Sequence, residues 1–166
     1  MKNNLLFSFI INKENNTVTV QREFDGSLDL VWDAWTKPEI LDQWWAPKPY
    51  KTVTKSMDFR EGGMWLYYMI NPEKDKHWCK NEYQKIDSKK SFTGLDAFCD
   101  ENGITNYDVP RTLCKNTFSE IKLDKTLVTI LATYESLADL EKVIEMGFKE
   151  GFSMALNNLD EYLQQN

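Results

Sequence analysis

Ser136 to Tyr162 reads SLADLEKVIEMGFKEGFSMALNNLDEY. Leu140, Val143, Ile144, Gly147, Phe148, Gly151, Met154, Ala155, Leu159 and Tyr162 recur along it at helical spacing. Ser136, with Asp139 three residues on, approximates a capping box. The stretch predicts one helix over about 137–164, roughly 40 Å long at 1.5 Å per residue. Gly147 and Gly151 stand one turn apart inside it, and each costs about 1 kcal/mol against alanine in a helix interior. Close approach to a sheet, room for a ligand, or packing against a bulky strand residue would offset that cost.

Upstream of this helix the period changes to two. Strands are expected at about 63–71, 77–87, 90–100, 111–122 and 125–135, with turns at Asp87-Ser88, Asn102-Gly103 and Asp124-Lys125. Before them, Val53, Met57 and Phe59 fall on one strand face and Thr52, Thr54, Ser56 and Asp58 on the other. Lys55 breaks the apolar register and reads as a snorkelling side chain at a strand end. Ser27 can cap a short helix carrying Leu28, Val31, Trp32 and Trp35. Pro38 suits the first turn of a second, which runs through Leu41 to Trp44 and Trp45 and stops at Pro47 and Pro49. At the N-terminus, Phe7, Phe9 and Ile11 alternate before Asn15-Asn16, and Val18 and Val20 after it. That pattern predicts a hairpin whose first strand covers about 5–11. Lys2 ahead of the run Leu5 to Ile11 resembles a signal segment, but Asn12-Lys13-Glu14-Asn15-Asn16 follows where a small-residue cleavage site belongs. The order of strand, two short helices, antiparallel strands and long helix predicts an α+β fold in a single domain over 1–166.

Composition narrows the function classes. The chain has 166 residues, 42% of them hydrophobic, with 9 Phe, 7 Tyr and 6 Trp. Such aromatics can line a wide interior as well as fill one. Net charge is −6, and only Arg22, Arg60 and Arg111 are arginines, so no basic stripe points to nucleic acid. The lone His77 excludes a metal site needing two histidines within the chain. Neither a metal nor another cofactor is expected. Cys79, Cys99 and Cys114 form no C-x-x-C pair, which fits a reducing, cytoplasmic compartment. The densest apolar run, Met64 to Ile70, is too short to span a bilayer. No phosphate-cradling loop, dinucleotide fingerprint or nucleophile elbow occurs.

Four motifs carry a family resemblance. Val31-Trp32-Asp33-Ala34-Trp35-Thr36-Lys37-Pro38-Glu39, Gln43-Trp44-Trp45, Asp58-Phe59-Arg60-Glu61-Gly62-Gly63, and Gly151-Phe152 with Leu156 and Leu159 resemble, in this order, the SRPBCC superfamily and its AHSA-type branch. Phe152 stands where that branch more usually has Trp. The resemblance covers about Thr17 to Leu163. It implies a helix-grip fold, in which a curved antiparallel sheet wraps a long C-terminal helix over a hydrophobic cavity. The branch is functionally diverse, so fold leaves function open.

Within that frame Trp45, Met57, Trp65, Tyr67, Phe92, Phe98, Phe148 and Phe152 are the candidate ligand-binding residues. Trp65, Tyr67 and Met69 share one face of their strand, and Met64, Leu66, Tyr68 and Ile70 the other. One face would meet helix and cavity; the other, a dimer partner or the N-terminal hairpin. The favoured expectation is non-catalytic binding of a small hydrophobic molecule. An enzyme of cyclase, hydrolase or dehydratase type in the same cavity is the alternative, with His77, Asp96 or Glu82 as acid or base. Each has a plainer reading: His77 as a strand-end residue after a polar loop, the carboxylates as the solvated face of a sheet. A chaperone-ATPase partner role is disfavoured, since a full-type activator carries a further N-terminal domain for which this chain has no room.

Overall fold

The computed structural model describes residues 5–166, so Lys2 lies outside the described residues. The hairpin is β1 (Phe7–Asn12) and β2 (Thr17–Asp25). Two short helices follow, α1 (Leu28–Thr36) and α2 (Pro38–Trp44). Six strands come next: β3 (Lys51–Met57), β4 (Met64–Ile70), β5 (Lys76–Asp87), β6 (Ser91–Phe98), β7 (Thr112–Lys122) and β8 (Lys125–Thr133). The chain closes with α3 (Leu137–Glu145) and α4 (Phe148–Gln165). All eight strands join one antiparallel sheet in the order β1-β2-β8-β7-β6-β5-β4-β3. Helices gather on one face of it, which makes the fold α+β and helix-grip in type. Bulges at Thr54/Ser56, Tyr83/Lys85 and Glu120/Lys122 add local twist, which helps the sheet curve.

The helix starts follow from sequence. The Ser27 hydroxyl accepts from the Leu30 amide at 3.2 Å, and that of Ser136 from the Asp139 amide at 3.1 Å. Pro38 opens α2, where its missing N–H costs nothing.

The expected single helix over 137–164 is two helices. Gly147 adopts φ 91°, a left-handed conformation that breaks the hydrogen-bond ladder and starts α4 afresh. The apolar spacing continues across the break, so periodicity alone reads straight through it. Of the two glycines, Gly147 is a junction and only Gly151 is helical.

Two face assignments also change. Thr54 pairs with Tyr67 and Met57 with Trp65, both inward-facing, while the exposed Val53 pairs with Tyr68 on the outer face. The bulge at Lys55 moves the strand by one residue, so Val53 and Met57 do not share a face. The extra residue, Lys55, sends its Nζ to the Glu101 carbonyl at 2.9 Å. On the outer side of β4, the N-terminal hairpin is not the cover; β8, β7, β6 and β5 separate it from β4. Instead the β6–β7 connection folds back there. A Cβ on Gly103 would lie 3.3 Å from Met64 Cε, and Leu66 is buried.

The core on the inner face holds a dense aromatic cluster beneath α1. Trp32 meets Phe118 edge-on at 5.0 Å and Phe92 at 5.9 Å; Trp35 meets Trp44 at 4.7 Å and Phe118 at 5.5 Å. Trp44 is 1% exposed, and its Nε1–H donates to the Ala34 carbonyl at 2.9 Å, which satisfies the one polar group that burial would strand. Among the described residues, no helix is long and apolar enough to cross a membrane.

Candidate functional site

Beyond Trp35 the packing opens. A cavity of about 320 Å³ lies between the inner face of β4–β7 and the helices α3 and α4. Its floor is a Trp65–Tyr67 stack with ring centroids 3.9 Å apart. Trp45 forms a wall, edge-on to Trp65 at 5.6 Å, with its Nε1–H donating to the Tyr67 hydroxyl at 2.9 Å. The roof is a parallel Phe148–Phe152 stack at 5.5 Å, and Phe152 meets Trp45 at 6.2 Å. Gly151 also lines the space; a Cβ there would come no closer than 3.8 Å to Pro47 Cγ, an ordinary contact. Close packing therefore does not require this glycine, and its lost helix propensity coincides with open volume.

A relay fixes the floor. Trp65 Nε1–H donates to Thr54 Oγ1 at 3.0 Å, and the Thr54 hydroxyl donates to Asp42 Oδ1 at 2.6 Å. Burial raises the Asp42 carboxyl above its ordinary value even though the Thr54 contacts oppose the shift.

One end of the cavity is polar. Asn81 on β5 and Asp96 on β6 are directly opposite in register and face inward. Asn81 is 6% exposed and Tyr83 is 3% exposed. Asn81 Oδ1, Asp96 Oδ1 and the Tyr83 hydroxyl are covered and have no hydrogen-bond partner. Such groups cost free energy where they stand. Gly94, the inward residue of β6 between Phe92 and Asp96, makes this possible, because a Cβ there would collide with the Asn81 amide. Asp96 lines the cavity and keeps some accessible surface, but its Oδ1 is covered. Desolvation therefore holds its carboxyl up to about 7, against a hydrogen bond from Cys114 that lowers it. The same burial pushes Cys79 up to about 12 and raises Tyr67, Tyr83 and Cys114. At neutral pH these four groups are uncharged.

Seven of the eight aromatic and sulfur residues singled out from sequence line the space: Trp45, Trp65, Tyr67, Phe92, Phe98, Phe148 and Phe152. Phe98 stands at the rim, 36% exposed. Met57 does not line it; it ends β3 opposite Trp65, packed against the core.

Of the three acid–base candidates, Asp96 alone lies in the cavity. His77 shares the parity of Cys79 but is exposed near the strand's start, its ring 5.7 Å from Tyr50. Glu82 has the opposite parity and pairs on the outer face with Lys80 at 3.6 Å. Asn81 and Tyr83 were missed from sequence. Continuing the alternation from His77 and Cys79 reaches both, whereas Glu82 steps onto the other face.

A family model described as "Activator of Hsp90 ATPase homolog 1-like protein" matches residues 25–164. Solved structures resemble the whole fold. The crystal structure of a Mycobacterium smegmatis protein has a TM-score of 0.85 at 30% identity, covering 96% of each chain. The solution structure of an Arthrobacter aurescens protein has a TM-score of 0.90 at 27% identity, covering 96% of this chain and 92% of that one. A Staphylococcus epidermidis protein, also solved in solution, reaches 0.82 at 28% identity over 93% of both chains.

Proposed function

The chain belongs to the activator of Hsp90 ATPase homolog 1-like family, and from that membership we propose that it binds a small, largely apolar molecule between sheet and helix without transforming it. The observation that carries this reading is the aromatic-walled cavity of about 320 Å³ set beside a core otherwise filled by tryptophans. Its size falls within the usual range for ligand pockets, and its flat rings suit a flat or greasy ligand.

Catalysis by paired acid and base finds less support. Asp96 is the single cavity carboxylate among the described residues, and His77 and Glu82 would act outside the space. The family description also names an Hsp90 ATPase activator. That reading needs an outer surface to meet a chaperone, whereas the feature this fold leaves open is internal. Stimulation of an Hsp90 ATPase by the purified protein, unaffected by filling the cavity, would favour it instead.

The test is a thermal-shift screen with small apolar molecules, alongside native mass spectrometry of freshly purified protein. A ligand at about a hundredfold its dissociation constant stabilises by roughly 2.7 kcal/mol, which raises the melting point by several degrees in a domain of this size. Phe152→Trp adds bulk to the roof and should blunt the shift. No rise with any member of a broad library, and no retained ligand, would overturn the proposal.

A further inference from the structure

We propose that the polar end of the cavity receives a primary ammonium group, so that the ligand is an apolar amine whose cation sits against Asp96 and Asn81. This deepens the binding reading and rests on it.

The polar end of the cavity holds an imbalance. Asn81 and Asp96 are register partners on adjacent strands, and each presents a side-chain oxygen that accepts from nothing in the chain. The Tyr83 hydroxyl, one inward position along β5, is likewise unpartnered. Asn81 and Tyr83 are more than nine-tenths buried, so bulk water does not serve them. Of these three covered and unpartnered groups, the Asn81 and Asp96 oxygens only accept and the Tyr83 hydroxyl both donates and accepts, so acceptors outnumber donors among them. A ligand carboxylate or carbonyl would add another acceptor beside Asp96. An alcohol brings one donor. A primary ammonium brings three, together with the charge that a buried carboxylate lacks.

Among the described residues, Lys80 is the one cationic residue that borders the cavity, and its charge is engaged elsewhere. Lys80, the cationic neighbour on β5, belongs to the outer face and pairs with Glu82. The roof opposite is Val143, Met146, Phe148 and Phe152, all uncharged. Tyr67 and Trp65 stand on the floor between this polar end and the Trp45 wall, and aromatic faces attract a desolvated cation. The body of the ligand is then apolar and flat, because the walls are stacked rings.

Four probes of one shape separate the terms: 1-naphthylmethylamine, 1-naphthalenemethanol, 1-naphthoate and 1-methylnaphthalene. Each is titrated by calorimetry at pH 8 against the wild-type chain and Asp96→Asn. The amine should bind at least about tenfold more tightly than the alcohol and the hydrocarbon, with the carboxylate weakest, as charge-assisted pairing predicts. Asp96→Asn should erase the amine's advantage over the alcohol and the hydrocarbon. The wild-type ranking stands as a test even if the variant fails to fold. If the alcohol or hydrocarbon binds as tightly as the amine, the ammonium site is wrong and the apolar cavity survives. If the amine keeps its advantage in Asp96→Asn, the site is also overturned. If none of the four binds, this inference falls, and the binding reading is decided separately by the broad thermal-shift screen.

Discussion

The inner face of the sheet serves two regions that differ in how they use aromatic side chains. Beneath α1, Trp32, Trp35, Trp44 and Phe118 interlock edge-to-face, and the indole N–H of the most buried of the three tryptophans, Trp44, is paired with a carbonyl. Beneath α4, Trp65 with Tyr67 and Phe148 with Phe152 form two stacks that face each other across open space, and acceptors stand unpaired beyond them. Edge-to-face rings fill volume in three directions. Parallel stacks make flat walls and leave the space between them open. One region is built for stability, and the other holds volume and unpaired polar groups at a cost to it.

The largest expected effect tests the first half of that contrast. Trp32→Ala should cost about 3–5 kcal/mol, the usual range for emptying a packed aromatic site. Phe152→Ala should cost less, because its ring already adjoins a void. Urea unfolding of both variants decides it, and equal losses would mean that the two regions are packed alike.

Next comes pH. Burial raises the folded-state carboxyl of Asp96 from its ordinary 3.8 to about 7. The folded state therefore favours the protonated form. The stability this contributes is complete below about pH 4 and is lost as pH rises towards 7. Asp96→Asn cannot ionise, so its stability relative to wild type should climb across that window by up to a few kcal/mol, then level off. The neighbouring Tyr67, Cys79, Tyr83, Cys114 and Tyr134 are shifted upward and stay neutral throughout. Denaturation midpoints from pH 4 to 8 give the slope. A flat difference would show a solvated carboxylate and dissolve the contrast.

Gly94→Ala should destabilise by about 1–3 kcal/mol, as overpacking does. The new Cβ meets the Asn81 amide and must push it into the cavity. Loss of a ligand shift together with stability would place Gly94 as the residue that seats Asn81. Unchanged melting would mean that the amide moves freely.

The smallest effect concerns Gly151. Gly151→Ala should stabilise by about 1 kcal/mol or less through helix propensity, since its Cβ would find only ordinary contact. It should also weaken apolar ligands slightly by entering their space. A destabilised variant would show that α4 is pressed against Pro47 and that the roof is closed.

The elements were readable because their signals are local. Alternation fixed most strand positions, Ser27 and Ser136 marked two helix starts, and Pro38 marked a third. Seven cavity residues were also readable: Trp65, Tyr67, Phe92 and Phe98 because large aromatics at one parity share a strand face, Phe148 and Phe152 because they stand one turn apart on a helix, and Trp45 because it ends one. The misses share one cause, which is that a single residue can change direction without changing composition. Gly147 breaks a helix while the apolar spacing runs on. Lys55 bulges a strand and turns Met57 to the face opposite Val53. Glu82 and Asn81 are neighbours in the chain, and pleating sends them to opposite sides of the sheet.

By itself, then, the order of residues determined which segments become strands and helices, and that apolar faces would meet. Only the tertiary structure decided that Asn81, Tyr83 and Asp96 would converge. Their meeting depends on which strands are neighbours, on the register that sets Asn81 opposite Asp96, and on a missing Cβ at Gly94. Pairings across the sheet join residues distant in the chain, and no local propensity encodes them.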